Sequence, residues 1–143
     1  MTVATILQAK GRDVITAIST TSMADITNVL ATRKIGAIVV CRDGGEIAGI
    51  ISERDIVRAI GLKGMDVLND AVSQHMTPDV KTCTSDCTID QCMAMMTTGR
   101  FRHLPIVEAG KLVGLVSIGD IVKERIVMAE REAEEMRSYI GSS

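Results

Sequence analysis

Gly49-Ile50-Ile51-Ser52-Glu53-Arg54-Asp55-Ile56-Val57 and Gly114-Leu115-Val116-Ser117-Ile118-Gly119-Asp120-Ile121-Val122 are two copies of one pattern, Gly-x-x-Ser-x-x-Asp-Ile-Val. Working outward, Gly45 returns as Gly110, and Asp13, Val14, Thr16 and Ser19 return as Asp79, Val80, Thr82 and Ser85. Residues 13–57 are thus written again at 79–122. A unit repeated at this period cannot bury its apolar face alone, so the copies must pack together. A pocket between near-identical halves is the first place to look for function.

Each copy reads β-α-β-β-α after a short leading helix. Val3 to Lys10 is a helix stopped at Gly11, and Val14 and Ile15 begin a short strand. Thr21 or Ser22 can cap a helix whose apolar residues Met23, Ile26, Val29 and Leu30 recur at helical spacing. Ala37 to Cys41 is a β-branched buried strand, Asp43-Gly44-Gly45-Glu46 a hairpin turn, and Ile47 to Ile51 the returning strand. The second copy predicts a leading helix over Leu68 to Met76, a short strand at Val80 and Lys81, and a helix stripe of Ile89, Cys92, Met93 and Met96. Its strand pair is His103 to Val107 and Leu112 to Val116. The fold class is α/β (α+β), with sheets covered by helices. The expected divisions are 10–68, 75–132 and a helical extension over 133–143.

The final helix runs past the repeat. Val122, Ile126, Ala129, Ala133, Met136 and Ile140 form a heptad-like seam flanked by charges. It either lies on its own domain or joins two subunits as a homodimer.

Composition narrows the function. With 143 residues, 46% of them hydrophobic, the chain can build one domain or two small halves sharing a core. A net charge of −2 argues against general binding to nucleic acid or anionic membranes. One Phe, one Tyr and no Trp leave no platform for base stacking. Residues 1–12 show no signal-peptide pattern and no stretch approaches a membrane span. Cys41, Cys83, Cys87 and Cys92 lack zinc-site spacing, so they read as structural thiols in a reducing cytoplasm. No nucleophile elbow, phosphate-binding Gly-Lys loop or dinucleotide fingerprint is present, and catalysis is not expected. Glu53 and Asp55 fall about 200° apart on a helix, which separates them as an acid–base pair.

Ser-x-x-Asp admits two readings. It fits a capping box at the start of a helix. The same geometry leaves N–H groups for an anion and a first-turn carboxylate for the vicinal hydroxyls of a sugar. Gly49 and Gly114 would let a flat group approach the backbone.

The paired unit resembles the CBS domain in its usual tandem arrangement. The resemblance is carried by Ile35-Gly36-Ala37-Ile38-Val39-Val40 and Arg102-His103-Leu104-Pro105-Ile106-Val107, each followed by its Gly-x-x-Ser-x-x-Asp segment, and it spans roughly residues 10–132. It implies two sheets packed about a pseudo-two-fold axis with two clefts. It further implies a regulatory module that binds AMP, ADP, ATP, S-adenosylmethionine or NAD(H) and modulates a partner protein. The alternative is an interaction or assembly module with no nucleotide ligand. By the family motif, Asp55 and Asp120 would hold ribose hydroxyls, and Ser52 and Ser117 would sit beside phosphate or ribose. Thr16 and Thr82 would lie near base or sugar, and Arg102 and His103 would face phosphate. Ile18, Ile38 and Ile51 would sandwich adenine. Gly36-Ala37 against Arg102-His103, and Arg54 against Gly119, make the clefts unequal, with Arg33, Lys34, Arg54 and Arg58 near the first.

Overall fold

The computed structural model describes residues 1–141; the last two positions of the expected 133–143 extension lie outside the described residues. The chain runs α1 (Val3–Lys10), β1 (Thr16–Ala17), α2 (Met23–Arg33), β2 (Ala37–Cys41), β3 (Ile47–Ser52) and α3 (Glu53–Lys63). Two 3-10 turns, Met65–Asn69 and Val72–Gln74, lead into α4 (Ile89–Gly99), β4 (His103–Glu108), β5 (Lys111–Ser117) and α5 (Ile118–Gly141). The first sheet has the order β1-β2-β3, with β1 parallel and β3 antiparallel to β2. The second is the antiparallel pair β4-β5.

Each half has its own core. Met23, Ile26 and Leu30 of α2 pack with Ile38, Val40 and Ile51 in the first. Ile89, Cys92 and Met96 of α4 pack with Leu104, Ile106 and Val116 in the second. Cys83 and Cys92 lie in that second interior with their sulfurs 3.8 Å apart. Ser22 caps α2, and Thr88 with Gln91 forms a full capping box on α4.

The leading segments cross between halves. Val3, Ile6 and Leu7 of α1 are buried in the second core, not the first. Val67 and Val72 of the 3-10 turns are buried in the first core. Backbone bonds fix both crossings: Val3 N donates to Cys87 O at 2.9 Å, and Met23 N donates to Asp70 O at 2.9 Å. The leading helix expected over Leu68 to Met76 is therefore broken. Asp70 and Ala71 are extended so that Asp70 can accept from Met23 while Val72 N donates to Thr21 O at 2.7 Å.

The short strand expected at Val80 and Lys81 also does not form. Only Cys83 bridges Ile106, in parallel, through Cys83 N to Pro105 O and Val107 N to Cys83 O. The next rung toward Lys81 would need an N–H from Pro105, which proline lacks. Its counterpart in the first half is complete but begins at Thr16, later than the expected Val14.

Gly49 and Gly114 serve this packing rather than a ligand. A Cβ on Gly49 would stand 2.9 Å from the Thr77 carbonyl oxygen and 2.5 Å from Met76 Sδ. At Gly114 it would meet Leu7 Cδ2 at 2.6 Å. Each glycine admits the segment that crosses its sheet. Gly49→Ala is expected to cost about 1–3 kcal/mol in urea unfolding, because backbone blocks it. Gly114→Ala should cost less, since the end of a leucine can turn aside.

Candidate functional site

Both Ser-x-x-Asp motifs stand where a buried strand turns into a helix. Ser52 N donates to Asp55 Oδ2 at 2.9 Å, and Asp55 N donates to Ser52 Oγ at 3.3 Å. Ser117 N donates to Asp120 Oδ2 at 2.8 Å, and Asp120 N donates to Ser117 Oγ at 3.2 Å. The capping reading is thus realised at both copies. It uses Oδ2 of each carboxylate, and Oδ1 takes no hydrogen bond among the described residues. Capping and ligand contact are therefore compatible roles for one carboxylate.

The helix starts are tied to the ends of the neighbouring strands in matching fashion. Glu53 N donates to Gly36 O at 2.9 Å, and Ile118 N donates to Arg102 O at 2.8 Å. Gly36 meets the other half directly, since a Cβ there would lie 3.0 Å from His103 Nε2.

A cavity of about 370 Å³ opens at this junction. It gathers Ser52, Arg54 and Asp55 from the first half with Arg102 and His103 from the second. Sequence had assigned Arg54 and Arg102-His103 to different clefts. The structure sets them in one, because the start of α3 faces the first residues of β4 in the opposite half. Arg58, Lys81 and Arg100 also line it, with Glu53 and Asp79. Five cations therefore stand against three carboxylates here, in a chain whose net charge is −2. Glu53 and Asp55 share the cavity wall despite their angular separation on α3.

The site is part apolar. Ile50, Val80 and Phe101 line it as well. Phe101, the chain's one phenylalanine, also packs against the second core. Its place directly before Arg102 was the signal that could have marked it. Burial, and then the nearby Lys10 ammonium, push the His103 imidazole below its ordinary value, while Glu53 and Asp120 act the other way. His103 therefore stands at neutral pH as an uncharged hydrogen-bonding group, and the positive charge comes from arginine and lysine.

Other expected residues lie elsewhere. Ile38 is 1% exposed in the first core and lines neither cavity, because alternation along β2 turns it toward α2 and α3. Ile51 is likewise buried in that core. Thr16 and Ile18 line a second hollow with Arg12, Cys41 and Arg42, apart from both Ser-x-x-Asp motifs. Thr82 is half-buried beside Lys81 and outside both cavities. Arg33 and Lys34 line neither. Ser117 and Asp120 are outside both as well, and Asp120 holds Lys10 instead.

Comparison with known proteins gives one family. The CBS domain profile matches residues 9–62 and again 72–126. The mitochondrial CBS domain-containing protein CBSX3 of Arabidopsis thaliana is 32% identical over 120 residues, 81% of this chain and 58% of its own length. A 17.7 kDa protein of Acidianus ambivalens is 36% identical over 71% of this chain and 61% of its own length. The chain thus spans about three-fifths of these relatives. Among solved structures, the CBS-domain protein ATU1752 from Agrobacterium tumefaciens superposes with TM-score 0.84 at 44% identity, covering 87% of this chain and 99% of that one. The CBS domain pair of protein MJ0100, solved with 5'-methylthioadenosine and S-adenosyl-L-methionine, superposes with TM-score 0.77 at 25% identity, covering 86% and 98%.

Proposed function

We propose, from the premise that this chain belongs to the CBS domain family and carries two CBS domains in tandem, that it is a regulatory module for a phosphate-bearing adenosine ligand. AMP, ADP, ATP or NAD(H) would enter the cleft between the halves, and occupancy would be reported to a partner protein. The observation that carries this is the surplus of cations in that cleft. MJ0100's ligands supply the adenosine class. The arginines and lysine favour phosphate over the sulfonium of S-adenosylmethionine, since guanidinium pairs well with phosphate oxygens. Asp55 would accept ribose hydroxyls through Oδ1, and Ile50, Val80 and Phe101 would flank the base.

No catalytic step is assigned to the chain. A ligand controls such a module only through unequal affinity for two conformations, so the partner must read a difference between filled and empty clefts. AMP at millimolar concentration is expected to raise the melting temperature. No rise with any adenosine phosphate would leave the assembly reading, in which Ser-x-x-Asp serves only as a helix cap.

The same reading includes a homodimer through α5. Val122, Ile126 and Met136 of the seam are exposed on this chain, as an interface awaiting a second copy requires. Sedimentation equilibrium is expected to give twice the chain mass, and Ile126→Asp to return it to the single-chain value. No helix among the described residues is long and apolar enough to cross a membrane.

A further inference from the structure

His103 has no equal in the first half, where the repeat sets Gly36-Ala37 against Arg102-His103. Its imidazole fits because Gly36, across the junction, has no side chain. A Cβ there would stand 3.0 Å from His103 Nε2 and 3.1 Å from Cε1. The same Cβ would lie 3.7 Å from Glu53 Oε1. A ring of the second half and a carboxylate of the first thus flank one small space in the cavity wall. No hydrogen bond or ion pair joins them, and neither ring nitrogen has a hydrogen-bond partner among the described residues.

Burial opposes protonation of the ring most, and the Lys10 ammonium of α1 and the neighbouring Arg102 add to this. Glu53 of α3 and Asp120 of α5 favour it. The cavity wall adds Arg54, Asp55 and Arg58 of α3, Asp79 and Lys81 of the segment before α4, and Arg100 at the end of α4. With the protein's own charges alone, burial and the cations prevail. A phosphate brings negative charge to the same wall and turns the balance toward the imidazolium.

We propose that phosphate binding in this cleft is proton-linked: His103 takes up a proton as the nucleotide binds, and its imidazolium donates to Glu53 across the junction. This rests on the reading that a phosphate-bearing adenosine ligand occupies the cleft. The proton supplies one more cation for the phosphate and a charge-assisted bond between the halves, so the module responds to acidity and nucleotide together. The sign follows from linkage: the bound form holds more protons than the free form, so affinity rises as pH falls. The window lies between the ring's lowered value in the protein alone and its higher value beside phosphate. The expected gain is about tenfold.

Calorimetric titration of the full chain with AMP, in two buffers of different ionisation enthalpy, counts the protons exchanged. The AMP phosphate titrates in the same range, so the readout is the difference between wild type and His103→Gln. Near neutral pH, wild type is expected to take up more protons than His103→Gln. Its affinity should also gain about tenfold more between about pH 8 and about pH 6. Glu53→Gln keeps the ring, removes the carboxylate across the space, and is expected to lower the uptake; undiminished uptake overturns the bridge to Glu53. Equal proton exchange in wild type and His103→Gln, with AMP bound by both, overturns the proposal and leaves the nucleotide-binding reading intact. No AMP binding by wild type at any pH overturns both. Proton NMR of wild type decides the case in which His103→Gln fails to fold or to bind, since the chain has only two histidines and His75 serves as the internal reference. The His103 ring must titrate at higher pH with AMP than without it, and an unmoved titration overturns the proposal.

Discussion

Asp55→Ala is expected to abolish the AMP-dependent rise in melting temperature and to lower the stability of the ligand-free protein by about 0.5–2 kcal/mol. The two effects have separate causes. The stability loss is that of a helix cap, because the carboxylate accepts the Ser52 N–H at 2.9 Å at the start of α3. The loss of response follows from removing the acceptor for ligand hydroxyls. A hydrogen bond to a charged group contributes about 1.5–3 kcal/mol, and two vicinal hydroxyls would share this one carboxylate. If affinity falls by about a hundredfold, a ligand present at about 100 times its wild-type Kd drops from about 2.7 kcal/mol of stabilisation to below about 0.5 kcal/mol. Asp55→Asn separates the causes, since an amide oxygen can keep the cap while the charge is gone. Thermal melts with and without AMP should show near-normal stability and a reduced response. Asp120→Ala should show the reverse, with stability lowered and the response kept. A full AMP response in Asp55→Ala would remove Asp55 from the binding reading, whatever happened to stability.

Local chemistry was legible in the sequence, and contacts between halves were not. Ser22 as a cap, the apolar stripes of α2 and α4, and the hairpin at Gly44-Gly45 all follow from rules spanning a few residues, and they stand in the structure. The pattern that named the two motifs could not say which strand end each would face. That depends on how the halves dock, and it decides that Arg54 and Arg102 share one cleft. Ile38 shows the same limit: β2 is apolar throughout in the sequence, so nothing in it marked which parity faced the helices. Pro105 is a different case. Its missing N–H was present in the sequence, and it shortens the strand expected at Val80 and Lys81, of which Val80 suits β structure. The two glycines were read as making room for a ligand. Room was correct; the occupants are Met76, Thr77 and Leu7.

Leu7→Ala is expected to lower stability by about 2–5 kcal/mol, the usual cost of truncating a buried leucine. That is a large share of the roughly 5–15 kcal/mol that holds a domain folded. The side chain is 1% exposed and lies against the second core, where Gly114 leaves space for it. Gln8→Ala, an exposed change on the same helix, should stay within about 0.5 kcal/mol. The informative quantity is where the loss falls. Because α1 precedes the first half in sequence but packs on the second, hydrogen exchange should rise in β4, β5 and α4 of Leu7→Ala more than in β2 and β3. Exchange raised first in β2 and β3 would mean that α1 stabilises its sequence neighbour instead.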